Sequence, residues 1–128
     1  MKTLDDFTIA YIECALWASC DDSDIPLDSN YSIDDIEPDS MEKIIEECKE
    51  FQYSWANTLS EYCKLYQHPE YTSMSLAGHD YWLTRNGHGA GFWDRGIGEI
   101  GELLTKACQH QERCLFVNDS DRLDYVRG

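Results

Sequence analysis

The chain predicts an α+β protein, with two long helices and a third helix packed on a small antiparallel sheet of two hairpins. Three observations lead there. Apolar residues recur at helical spacing in three windows. Runs rich in aromatic and branched residues at 81–84, 91–93, 114–117 and 123–126 are bounded by turn residues. The 128 residues also suffice for one core without disulfide staples. The expected organisation is a single domain over 1–128. Its acidic helical part is 1–69, and 70–128 forms a hairpin–helix–hairpin part.

Thr3 is placed to cap the first helix, with Asp6 three residues later. Phe7, Ala10, Tyr11, Cys14, Trp17 and Ala18 then follow a helical rhythm that should end near Cys20. Residues 21–38, DDSDIPLDSNYSIDDIEP, read as a loop with two prolines and seven carboxylates. A short helical turn is expected after Ser32. The loop fails the EF-hand pattern, because it lacks the turn glycine and the closing glutamate of a twelve-residue calcium loop.

Asp39 or Ser40 should cap a long second helix. Met41, Ile44, Ile45, Cys48, Phe51, Gln52, Trp55, Leu59, Tyr62, Cys63 and Tyr66 follow its three-four rhythm, and Pro69 marks its end. About 26 residues would make a rod of roughly 40 Å. Its first half is expected to present Glu42, Glu46, Glu47 and Glu50 to solvent. Residues 71–77 read as a connector or one more helical turn. Tyr81, Trp82, Leu83 and Thr84 are β-prone, and 91–93 answer them across Asn86-Gly87, which predicts a first hairpin. Gly96 and Gly98 lead into a third helix, with Ile97, Ile100, Leu103, Leu104, Ala107 and Cys108 facing inward. Gly98 and Gly101 are spaced to let another backbone approach. Residues 114–117 and 123–126 form a second hairpin around Asn118 and Asp119.

The formal charge is −15, and it is unevenly distributed. Residues 1–50 hold fifteen Asp/Glu against three Lys, whereas 51–128 hold ten against seven Lys/Arg. Such a surface repels nucleic acid and anionic membranes and attracts basic proteins. No hydrophobic run is long enough to span a bilayer. The opening MKTLDDFT lacks a signal-peptide pattern, so a cytoplasmic location is expected. None of the six cysteines forms a C-x-x-C pair. They read as reduced, mostly buried thiols, and neither a metal site nor a cofactor is expected.

Residues 77–96 pack five glycines, two histidines, two arginines, two aspartates and four large aromatics into twenty positions. His79, Arg85, Asn86, His88 and Arg95 form a candidate pocket for a nucleotide-like ligand, with glycine-rich backbone and guanidinium groups meeting an anion. The spacing is neither a Rossmann nor a phosphate-loop fingerprint. A ββα-metal nuclease is disfavoured by the absence of a helical ligand and by the net charge. The structural alternative makes Asn86-Gly87 a turn, with Arg85 and Arg95 pairing with Asp80 and Asp94 to brace the sheet.

The string GHDYWLTRNGHGAGFWDRG resembles a signature of small acidic proteins encoded by bacteriophages and related bacterial mobile elements. The opening DFTIAYIECALW, the loop DDSDIPLDSNYSIDDI and the helix around 48–51 are similar to that group too, so the resemblance covers most of the chain. It implies an intracellular protein acting on host machinery and brings no settled activity. In that context Asp21, Asp22, Asp24, Asp28, Asp34, Asp35, Glu37, Glu42, Glu46, Glu47 and Glu50 are the candidate partner-binding residues. They would imitate the charge of a nucleic acid and block a basic host nucleic-acid-binding defence protein of the restriction or CRISPR type. The expected protein is a non-enzymatic inhibitor that does not itself bind nucleic acid. The long Tyr-rich helix leaves a homodimer open.

Overall fold

Asp5, rather than Thr3, starts the first helix: its carboxylate accepts the Thr8 backbone N–H at 2.8 Å. The computed structural model describes residues 3–87 and 89–127. Among these are five α-helices and one two-stranded antiparallel sheet, an α+β arrangement. Helix α1 (Asp6–Ala18) buries Phe7, Thr8, Tyr11, Ile12, Cys14, Ala15 and Leu16. The acidic segment after it contains two 3-10 turns, Leu27–Ser29 and Ile33–Asp35. The second is the turn expected after Ser32, whose N–H is accepted by Asp35 at 2.8 Å.

The expected 26-residue rod is two helices, α2 (Pro38–Ser54) and α3 (Ala56–Leu65). Trp55 separates them with φ −116° and ψ 25°. The apolar stripe continues across the break in helical register, and for that reason the sequence reads as one helix. A straight rod of roughly 40 Å would overrun a domain about 30 Å across. The break lets α2 pack on α1 and the C-terminal hairpin while α3 packs on the two later helices.

The predicted first hairpin is also replaced. Residues 81–84 belong to helix α4 (Ser73–Arg85), and 92–94 form a 3-10 turn. Thr72 caps α4 by accepting the Ser75 N–H at 3.1 Å. Asn86-Gly87 ends this helix instead of turning a hairpin, and Gly87 takes the left-handed conformation (φ +66°) usual just past a helix C-terminus. Burial overrides β-propensity, because Ala77, Gly78, Tyr81, Trp82 and Arg85 line the helical face packed on α1 and the core.

Helix α5 (Glu99–Ala107) leads to strands β1 (Arg113–Val117) and β2 (Leu123–Arg127). The second hairpin therefore forms where expected, with Leu115 opposite Tyr125. Ile36 bridges Leu123 in parallel, and the Glu37 N–H donates to the Leu123 carbonyl at 2.9 Å. Acidic loop and C-terminal strand are thereby joined directly.

The core is aromatic. Phe7, Tyr11, Tyr62, Phe92 and Tyr125 are buried, and the Phe51 and Tyr81 rings stack at 4.1 Å. Cys14, Cys48 and Cys108 lie within it; burial pushes the Cys14 and Cys108 thiols up to about 12 and the Cys48 thiol up as well. Cys20 and Cys114 are exposed. Among the described residues no helix is long and apolar enough to cross a membrane.

The close approach anticipated at Gly98 and Gly101 occurs at Gly101, where a Cβ would stand 2.6 Å from the Phe92 carbonyl oxygen. A tighter one brings α1 against α4: a Cβ on Gly78 would overlap the Phe7 carbonyl oxygen. Gly78→Ala is therefore expected to destabilise by about 1–3 kcal/mol, against the gain of about 1 kcal/mol that helix propensity alone gives alanine. The urea midpoint should fall; a rise would show that the crossing relaxes freely.

Candidate functional site

Asp80 lies on the inward face of α4 with its side chain 1% exposed. The loop after α4 turns back so that Arg95 reaches it. The Arg95 Nε lies 3.1 Å from both carboxylate oxygens, and Nη2 donates to the same group. The Tyr62 hydroxyl donates to Asp80 from α3 at 2.7 Å. The loop is further held by the Phe92 N–H, which donates to the Thr84 hydroxyl at 3.0 Å. The described residues of 77–96 thus comprise the end of a helix and a folded-back segment pinned by the Asp80–Arg95 ion pair.

Arg85 belongs to a different network. Its Nη1 donates to Glu47 at 2.9 Å and to the Tyr11 hydroxyl at 3.1 Å, while Nε donates to the Gln111 carbonyl at 2.9 Å. Arg113 meets both Glu47 oxygens at 3.1 and 3.0 Å, and Tyr125 donates to the same carboxylate. Burial alone would raise the Glu47 pKa. Hydrogen bonds from Tyr125 and Arg113 and the Arg85 charge outweigh it and hold the carboxyl below its usual value. The expected pairing of Arg85 with Asp80 or Asp94 does not form. Arg85 pairs with Glu47 and Arg95 with Asp80, while Asp94 lies 3.7 Å from Arg95. Helical geometry explains the exchange: residues 80 and 85 are five apart, which puts them on different faces of α4.

The five candidate pocket residues consequently divide. His79 and Arg95 line a cleft of about 380 Å³ with Glu13, Tyr66 and Tyr71. His79 is half-buried beside Trp17, with ring centroids 6.4 Å apart, and burial lowers its pKa, which favours a neutral imidazole. Arg85 lines a second pocket against α2 and the hairpin. Asn86 is structural: Nδ2 donates to the Trp82 carbonyl at 3.0 Å and Oδ1 accepts the Arg113 N–H at 2.9 Å. His88 lies outside the described residues. Among the described residues no group of three His, Cys, Asp or Glu side chains is placed to hold a metal.

The acidic candidates divide as well. Asp22, Asp24, Asp28, Asp34, Glu42, Glu46 and Glu50 are exposed. Asp21 shapes the loop by accepting the Ser23 and Ile25 N–H groups at 2.8 and 3.0 Å, and Asp35 caps the turn described above. Glu37 pairs with Arg122 at 2.6 Å. Glu47 does not face solvent as a free charge; it is the centre of the Arg85–Arg113 network. Glu42, Glu46 and Glu50 stand four residues apart on α2, so they form a ridge with about 6 Å between successive carboxylates along the axis.

Sequence reasoning missed Tyr11, Tyr125 and Arg113 as members of a polar network. Tyr11 and Tyr125 fit apolar stripes, and their hydroxyls meet at 2.6 Å inside the core. No protein-family model, curated protein or solved structure matches the chain.

Proposed function

We propose that this is a non-enzymatic binding protein whose acidic surface occupies the nucleic-acid groove of a basic host protein. It would act in the host cytoplasm as a phage-type inhibitor of a restriction or CRISPR effector. One observation carries the reading. Arg85, Arg95, Arg113 and Arg122 each face a carboxylate within the fold. Their charge is offset by these partners, while Asp22, Asp24, Asp28, Asp34, Glu46 and Glu50 stay at the surface. Attraction from such a surface is long-ranged, speeds encounter with a basic groove and weakens with salt.

The test is displacement of duplex DNA from purified restriction endonucleases and CRISPR effector complexes. Inhibition is expected at about 50 mM salt and should fall more than tenfold by about 200 mM. A variant carrying Glu46→Lys, Glu50→Lys, Asp22→Asn and Asp24→Asn should lose at least about tenfold in potency with its melting temperature kept within a few degrees. Unchanged DNA binding across the panel at low salt would overturn the proposal, as would equal potency of the variant.

A further inference from the structure

Three arginines line one pocket of this acidic chain. Arg85, Arg113 and Arg127 border a pocket of about 280 Å³ between α2, the end of α4 and the hairpin edge, with Trp55 in its wall. Arg113 and Arg127 are directly opposed in the β1–β2 register. Side chains paired in this way project from the same face of a sheet, and like charges there repel. Glu47 compensates Arg85 and Arg113. Among the described residues, the Arg127 side chain has no hydrogen bond or ion pair. The Nη2 groups of Arg85 and Arg113 likewise carry no hydrogen bond among those residues. Lys43 adds a fourth cation in the adjoining cleft that Arg113 and Arg127 also line.

The three guanidinium groups share the pocket with two carboxylates, Glu47 and Glu50, which leaves the lining with one uncompensated positive charge. An oxyanion there turns a repulsion into charge-assisted, fork-like hydrogen bonds. The pocket also limits the anion's size. Glu50 stands exposed in its wall, and the chain as a whole carries a formal charge of −15, which opposes a nucleic-acid strand. About 280 Å³ is at the small end of ligand pockets and suits one phosphoryl group with one compact ring system.

We propose that this pocket binds a small phosphate monoester bearing a planar group, of the nucleoside monophosphate class. The phosphoryl oxygens lie between Arg113 and Arg127, Arg85 Nη2 reaches them from the floor, and the planar group rests against Trp55. The site shares Glu50 with the acidic surface, but its cations Arg85, Arg113 and Arg127 play no part in that surface, so Arg127→Ala tests it separately.

Titration calorimetry and thermal melts with adenosine monophosphate, inorganic phosphate and adenosine test the assignment. The monophosphate is expected to bind with a Kd below about 1 mM, phosphate at least about fivefold more weakly, and adenosine not measurably. Arg127→Ala removes no side-chain hydrogen bond or ion pair to another described residue. Without ligand its melting temperature should hold or rise by about 1–4 °C as the repulsion is relieved, while monophosphate affinity falls at least about tenfold. Arg127→Lys, which keeps charge but not the fork, should fall between the two. Several results would overturn the proposal: no heat and no melting shift with either phosphate compound at about 10 mM, Arg127→Ala binding like the wild type, or inorganic phosphate binding as tightly as the nucleotide.

Discussion

Arg95→Met is expected to destabilise the protein by about 3–5 kcal/mol, because it leaves a charged Asp80 sealed in the core with only a tyrosine hydroxyl for company. Asp80 is 1% exposed in its side chain, so water cannot replace the lost guanidinium. For a chain of this size the melting temperature should drop by about 10–20 °C. The pair itself contributes less than this figure, since bringing both charges out of water already works against it. Asp80→Leu combined with Arg95→Met should therefore be milder than the sum of the single changes, with a coupling of at least about 1 kcal/mol in urea unfolding. This result separates two roles for Arg95. If Arg95 only lined a ligand cleft, its removal would leave the unfolding midpoint where it is.

Glu47→Gln is the second large effect, expected at about 3 kcal/mol. The change removes the counter-charge of Arg85, whose side chain is 1% exposed, and loosens Arg113 at the start of β1. It should also alter the response to acid. The folded pKa of Glu47 is depressed, so the unfolded chain binds its proton more readily and stability rises with pH. The contribution is complete above the ordinary glutamate value of about 4.3 and is lost as pH falls through the lower folded value. Asp5 and Asp124 are shifted in the same direction. Melting between about pH 3 and 7 should show the wild type steepening below about pH 4.5, and Glu47→Gln should be flatter there and lower above it. Parallel curves would contradict the Glu47 assignment.

The elements legible in the sequence were those whose signals are local. Helix α1, helix α5 and the final hairpin follow from apolar spacing and from turn residues at Asn118 and Asp119. Residues 73–87 carry two signals that compete. Tyr81, Trp82, Leu83 and Thr84 favour a strand, while Ala77, Gly78, Tyr81, Trp82 and Arg85 keep helical spacing. Asn-Gly serves a hairpin turn and a helix end equally well, so it decides nothing. The break at Trp55 was hidden because the stripe keeps its phase across it. The polar networks were illegible for a different reason. Glu47 sits in an acid-rich helix and looks solvent-facing, but its partners lie 38, 66 and 78 positions away. Spacing rules report neighbours on one element, and these contacts exist only after distant elements pack.

The hydrogen bond between Tyr11 and Tyr125 joins groups 114 positions apart. On a translating ribosome the leading helix therefore emerges long before the strand it leans against. Native closure must wait for β2 to leave the exit tunnel, and until then the aromatic side chains of the early helices lack their final cover. The charge asymmetry between the two portions of the chain thus does not mark a seam. Excising either portion would remove walls from the same room.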